Sequence, residues 1–486
     1  MKKIFLFHVA CIVLLFCSCT DMLQETPKNF LSPVGFYKTA ADAEGAILSV
    51  YSRRIDYNVT ALLNMIEESH SDYSICRGSY APIGNFDQPF ESVTTGRTND
   101  IWSVYYSIIN RANVVLSRVP DIDMNEANKK KILAEAYYLR AEAYMNLVRY
   151  WGAVPLRLTE TVDLSGVSAP RNSVSEVYAQ IISDLKIAEV DLPDNVGSRT
   201  GRVSKWAAKV RLADVYLDLE DWNNAALKAD EVIKSNRYSL VIVKTEADFY
   251  KIFATETCSE DIFSMHYSDI SRDFQNFVQW LHYTDTPGYC PGEGWWCLYA
   301  NVGSPLVINW DKDDLRYKFN IYSGFYRNGV WVDNPPATPL LFKKYIKDGN
   351  ARATYSVPVV RYAEPFLIYA EAACMAEGKP SALALERLNI IKRRAYGFDL
   401  NTPSAVDYPS GMSKESFRET VIKERAYEFM LERRRYWDLL RTKTIKKETM
   451  DAKKINYIDT RLLYPIPLSE ISNNPALSQA HQNPGY

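Results

Sequence analysis

Residues 204–238 read SKWAAKVRLADVYLDLEDWNNAALKADEVIKSNRY, and their spacing decides the fold. Trp206, Val210, Ala213 and Leu217 recur at three- and four-residue steps, which lays one apolar stripe along a helix. Asp221-Trp222 turns the chain, and Ala225, Ala229 and Val232 begin a second stripe. Small residues at the crossing let two helices approach closely, and each pair must stack on neighbours to bury its face. An alanine-rich helix pair joined by a short turn is the tetratricopeptide pattern. The segment therefore predicts a mainly α architecture of stacked, tetratricopeptide-like helix pairs.

The same period extends toward the N-terminus. Ile101, Tyr105, Ile108, Ala112 and Val115 form one stripe, and Ile132, Ala136, Leu139, Ala143 and Leu147 form another. The second helix should stop at Gly152, with Pro155 just beyond. Ser173-Val174-Ser175-Glu176 has the spacing of a capping box, and opens a helix with Val177, Ile181 and Leu185 inward. From 239 to 358 the character changes to Gly, Pro and Trp with few long stripes. That stretch predicts long loops and small sheets, with short strands at Val330-Trp331-Val332 and Leu340-Leu341-Phe342. It is too aromatic for disorder. Helices resume at Tyr362, with Pro365 in a first turn where its missing N–H costs nothing. Gly378-Lys379-Pro380 ends that helix, Leu385, Leu388 and Ile391 line the next, and one long helix should run from about Ser413 to Arg441.

The 486 residues are long enough to bury a sizeable core. Apolar residues make 47% and charged residues 24%, which excludes a wholly disordered or collagen-like chain. Lys plus Arg is 57 against 59 Asp plus Glu, and no long basic run compensates, so the sequence does not point to nucleic acid.

Lys2 and Lys3 precede an apolar run from Ile4 to Phe16. Thirteen helical residues span about 20 Å, short of a ~30 Å hydrocarbon core, so this reads as a secretory signal over 1–18. Ser18-Cys19 at the end of the run resembles a bacterial lipoprotein signal, with Cys19 as the acylated N-terminus, palmitate included. An ordinary signal with incidental cysteines is the competing reading. Of Cys76, Cys258, Cys290, Cys297 and Cys374, at least one must be an unpaired thiol, and a Cys290–Cys297 disulfide stands beside isolated thiols as a second reading.

Five stretches carry a family resemblance: AEAYYLRA at 134–141 running into YWGAVPL at 150–156; VRYAE at 360–364 with YAEA at 369–372; LNIIKRRA at 388–395; KERAYEF at 423–429 with RYWDLLR at 435–441; and YPIP at 464–467 with the terminal QNPGY. In order and spacing the chain resembles the SusD/RagB family of surface nutrient-binding lipoproteins. The resemblance implies a helical N-terminal region over 19–238 and a C-terminal region over 239–486. Within the latter, a loop-rich, ligand-facing insert would occupy 239–358 and a helical part 359–445. It implies a surface-exposed protein, lipid-anchored in the outer membrane. Such a protein captures oligosaccharides for a SusC-like TonB-dependent transporter in polysaccharide utilization, without catalysis and without a cofactor. A peptide binder of the same family is the alternative, and a hydrolase a more distant one.

A hydrolase needs two reactive carboxylates in one cleft. Glu424, Glu428 and Glu432 have i, i+4 spacing, but Arg425, Arg433, Arg434 and Arg435 lie close, which favours an ion-pair network. Arg361 with Glu364, and Asp438 with Arg441, read the same way. The five histidines lack metal spacing, and Asp311 to Arg316 lacks the alternating oxygens and Gly of a calcium loop, so no metal site is expected. The functional candidate is YCPGEGWWC at 289–297. Two adjacent Trp between glycines cannot easily both enter one core, and an indole face suits the apolar face of a pyranose. Trp295, Trp296 and Tyr289 are the ligand-binding candidates there. A second candidate segment, 72–97, contributes Asp72, Tyr73, Arg77, Tyr80, Asn85 and Phe86. Trp102, Trp151, Trp206, Trp222 and Trp437 fall on helical stripes or turns and read as core.

Overall fold

The computed structural model describes residues 36–84, 90–197, 201–253, 257–267, 275–347, 356–455 and 457–486. Cys19, Asn85 and Phe86 lie outside these residues. Seven helices of the N-terminal half are α1 (Ala40–Arg54), α2 (Leu63–His70), α3 (Ser92–Arg118), α4 (Glu126–Trp151), α5 (Val174–Asp191), α6 (Lys205–Asp218) and α7 (Trp222–Lys234). Each apolar stripe quoted for α3 to α7 is buried. The termini are chemically fixed. Ser173 and Glu176 form the reciprocal capping box of α5, Asp221 accepts from Asn224 N at the start of α7, and Gly152 ends α4 at φ 70°.

Successive helices stack: α1 on α3, then α3 on α4, α4 on α5, α5 on α6 and α6 on α7. The chain then leaves the stack. It returns as α10 (Ala363–Glu377), which packs on α7 and is followed by α11 (Ala382–Ala395) and α12 (Lys414–Glu428). Two short helices of the excursion matter below, α8 (Gln275–Leu281) and α9 (Leu315–Asn320).

Among the described residues, the excursion takes part in four two-stranded antiparallel sheets. β2 (Asp261–His266) pairs with β8 (Ser356–Arg361) at its neck. β4 (Ile321–Tyr322) pairs with β7 (Leu341–Phe342), and β5 (Gly324–Arg327) with β6 (Val330–Asp333). The fourth sheet reaches back: β3 (Leu298–Ala300) pairs with β1 (Ser74–Cys76), which follows α2. Two cores result. One runs through the helix stack, mostly on Ala, Leu, Ile and Val with rings such as Trp102, Tyr144 and Trp151 among them; the other, under the excursion, is richer in aromatic rings, among them Phe253, Phe277, Trp280, Trp310, Phe319 and Tyr345.

The expected long helix from Ser413 to Arg441 is broken. α12 stops at Glu428, and α13 (Arg435–Arg441) begins after Leu431 and Arg433, both at φ 61°. A left-handed residue costs roughly 1–2 kcal/mol. The break fans three consecutive arginines toward three different carboxylates. Arg433 binds Glu67 at 2.6 Å, Arg434 binds Glu364 at 2.7 Å, and Arg435 holds Asp72 by two contacts at 2.8 and 2.7 Å. Charge-assisted forks of this kind offset the backbone cost. Glu364 is therefore the partner of Arg434, not of Arg361 as the spacing suggested.

Arg361 instead closes the neck of the excursion. It reaches Glu432 at 2.7 Å, Glu428 at 2.5 Å and Glu260 at 3.4 Å. Arg316 of α9 adds Glu424 at 2.6 Å and Glu428 at 3.2 Å, and Lys344 adds Glu432 at 2.5 Å. The surrounding cations hold the Glu428 carboxyl far below the usual range despite its burial. Glu260, Glu424, Glu428 and Glu432 are thus each held by cations and buried, which suits an ionic joint between excursion and stack. The Asp438–Arg441 pair stands as expected, at 2.7 Å.

Candidate functional site

The β1–β3 sheet brings together the two segments singled out in the sequence. Ser74 faces Ala300 and Cys76 faces Leu298, and just beyond the ladder Arg77 N donates to Cys297 O at 2.9 Å. That register carries the Arg77 guanidinium over the Trp296 ring, 3.8 Å from its centroid. A second support is Tyr283, 4.3 Å from Trp296 at 38°. Trp296 is therefore packed against a cation and a phenol ring and is half-buried. Trp295 beside it is 49% exposed.

Backbone chemistry presents the two rings. Gly294 lies so tightly against the chain after α8 that a Cβ there would sit 1.8 Å from Tyr283 O. Trp295 N donates to Gln279 O and Trp296 N to His282 O, both at 2.8 Å. These bonds lock the loop onto the end of α8. Trp296 itself has φ 34°, a left-handed backbone that a bulky residue rarely adopts. Strain of this kind costs of order 1–3 kcal/mol and clusters at functional sites. The carboxylate of Glu293 closes the loop from below, accepting from Gln279 Nε2 at 2.9 Å and meeting Lys347 at 2.5 Å.

Tyr289 is half-buried rather than displayed. It lies 4.4 Å from Tyr322 and stacks, at 5° and 6.1 Å, on His282. His282 is fully enclosed, and burial pushes its pKa down to about 4. The neutral ring donates from Nε2 to Tyr345 O at 2.7 Å and accepts at Nδ1 from Tyr322 Oη at 3.2 Å. Cys290 and Cys297 are both free thiols, so the loop is closed by hydrogen bonds and the glycine approach, not by a disulfide.

The 72–97 segment divides. Arg77 joins the indole pair. Tyr80 is half-buried, 5.1 Å from Trp280, with the Arg97 guanidinium 4.1 Å over its ring. Asp72 and Tyr73 are corrections to the sequence reading, because both are interior. Asp72 is consumed by Arg435, and Tyr73 Oη bonds Glu68 and receives Leu431 N at 3.0 Å. Each anchors the left-handed break between α12 and α13. Tyr283 was not singled out from sequence; its only signal is a place just ahead of the Gly/Trp loop. The Asp311 turn caps α9 through Asp314, which accepts from Arg316 N, and no cluster of metal-type ligands occurs among the described residues.

Residues 309–486 match the family model described as the SusD family, and residues 42–217 match one described as starch-binding associating with outer membrane. The chain belongs to the SusD/RagB family. The SusD-like protein P2 of Formosa agariphila is 28% identical over the full length of both chains. The solved structure of a SusD homolog from Bacteroides thetaiotaomicron superposes with a TM-score of 0.80 at 22% identity, covering 94% of this chain and 99% of that one. Surface glycan-binding protein A from Bacteroides fluxus gives 0.73 at 23% identity, over 92% and 100%. This chain thus has the fold of these solved structures, mainly helical with small β elements. Among the described residues, no helix is long and apolar enough to cross a membrane.

Proposed function

We propose that this SusD-family chain is a lipid-anchored protein of the outer-membrane surface that captures oligosaccharides and hands them to a SusC-like TonB-dependent transporter. It binds and does not catalyse. The observation that carries the reading is the Trp295–Trp296 pair, displayed by a locked loop and backed by Arg77 and Tyr283. An indole face covers the C–H face of a pyranose, while a neighbouring guanidinium offers donors to its hydroxyls. The Glu424, Glu428 and Glu432 carboxylates are engaged by Arg316, Arg361 and Lys344, which speaks against their acting as an acid–base pair. The anchor reading rests on Ser18-Cys19 and on the family.

The test is calorimetry on the full chain in mild detergent against a panel of polysaccharides and peptides. Trp295→Ala/Trp296→Ala is measured in parallel. Binding of a glycan by the parent, weakened at least about tenfold in the double variant, is the expected result. Binding of peptides alone would replace the reading with the peptide-binding one.

A further inference from the structure

Arginine in this molecule is almost always tied down. Some guanidiniums clamp carboxylates, as those of Arg361, Arg394 and Arg435 do. Others donate to carbonyls, as Arg111 does to Ser49 O at 2.7 Å. Arg77 is different. It is half-buried, yet among the described residues it is the one arginine whose guanidinium makes neither a hydrogen bond nor an ion pair. Its support is the Trp296 ring, whose centroid is 3.8 Å away. An indole engages a guanidinium through its π face and takes up none of its N–H donors. A charge drawn out of water without a partner is costly, so the position calls for an acceptor that the described residues do not supply.

Three carboxylates of these segments are already engaged elsewhere. Glu293 holds Lys347 and Gln279 Nε2, Asp285 holds Arg327 and Gly292 N, and Asp72 holds Arg435. A second cation adds to the positive excess. Arg97 donates to Ser79 O at 2.9 Å, lies over Tyr80, and meets no carboxylate among the described residues. Burial pushes the Cys297 thiol up while Arg77 and Arg97 both pull it down, which places the two guanidiniums near one point at the start of β3.

Resting on the glycan-binding reading above, we infer that Arg77 is a fork for a negatively charged substituent of the sugar, so that the preferred ligand is an acidic glycan. The substituent is a carboxylate or a sulfate ester, each of which offers paired oxygens to the planar N–H edge of a guanidinium. Trp296 holds Arg77 in place beforehand, which lowers the ordering cost of that contact. Stacking on an indole serves neutral and acidic sugars alike, and the charge-assisted bonds decide between them. Neutral glycans therefore bind, but more weakly, because a hydroxyl returns less than a charged acceptor.

The experiment uses the full chain in mild detergent and two acidic oligosaccharides, of polygalacturonate and of carrageenan. Each is paired with its neutral counterpart, carboxyl-reduced or desulfated. Calorimetry compares the parent with Arg77→Ala and Arg77→Lys. The parent should bind an acidic form roughly tenfold tighter than its neutral counterpart, and the pair that shows this separates carboxylate from sulfate. Arg77→Ala should bring the two forms within about twofold of each other, and Arg77→Lys, which keeps the charge and loses the fork, should fall between. Equal binding of both forms by the parent, or a preference that survives Arg77→Ala, would overturn the inference and leave the glycan reading standing. Binding of no glycan by the parent would strike the glycan reading, and this inference with it. Rising sodium chloride gives a check on the parent alone: binding of the acidic form should weaken and that of the neutral form should hold. An acidic form that binds independently of salt would also overturn the inference.

Discussion

The helix stack and the excursion between α7 and α10 solve the burial problem by different means. The stack repeats one device, small and aliphatic residues at helical spacing, so that each helix covers its neighbour. Among the described residues the excursion forms two-stranded sheets, which are marginal alone, and fills its interior with large rings. It is joined to the stack by Arg361, Arg316 and Lys344 with Glu260, Glu424, Glu428 and Glu432. The difference teaches where function can sit. A repeating stack commits its helix faces to neighbouring helices, whereas a patchwork of short pieces can leave Trp295 and Trp331 in solvent without loss of core.

The sharpest way to break this contrast is at the joint. Arg361→Met would take one cation from Glu260, Glu428 and Glu432, leave their buried negative charge under-compensated by Arg316, Lys344 and Arg394, and should cost about 3–5 kcal/mol. Guanidinium unfolding followed by far-UV circular dichroism and by Trp fluorescence checks it. Both probes should shift together; a shift in fluorescence alone would show the excursion folding independently of the stack.

The next effect belongs to the aromatic core. His282 is neutral when folded, with a pKa near 4, against about 6.5 in the unfolded chain. Between those values the unfolded state binds the extra proton, so this contribution to stability is complete above pH 6.5 and is lost as pH falls toward 4. It amounts to roughly 3 kcal/mol. Unfolding midpoints at pH 7 and pH 4.5 should show a slope in the parent that His282→Gln reduces. An equal slope in the variant would mean that other groups carry the acid sensitivity.

The smallest loss should follow Gly294→Ala, which forces the loop off Tyr283 O. A cost of about 1–3 kcal/mol is expected, confined to the excursion, together with loss of glycan binding. Retained binding would show that the loop does not present the site.

Much of the stack was legible because its signal is periodic. The stripes through Ile101, Leu139, Ile181 and Val210, the Ser173 capping box and the Gly152 stop all lie where the 3.6-residue period puts them. The break at Leu431 and Arg433 was not, since leucine and arginine carry no turn signal. Only the positions of Glu67, Asp72 and Glu364 in space explain it. The site was half legible. Glycines beside Trp295 and Trp296 marked the loop, but the β1–β3 pairing that lays Arg77 on Trp296 is long-range and has no local signature. Asp72 and Tyr73 looked like ligand contacts because polar and aromatic residues near a loop serve a surface or an interior equally well.

The central claim is that Trp295 and Trp296 meet the sugar, and fluorine NMR reads it directly. The full chain would be labelled with 5-fluorotryptophan, its two site resonances assigned through Trp295→Phe and Trp296→Phe, and titrated with starch and laminarin oligosaccharides. The account predicts saturable shifts of those two resonances, while those of buried Trp151 and Trp310 stay in place. Glycan binding that moves neither site resonance would contradict it.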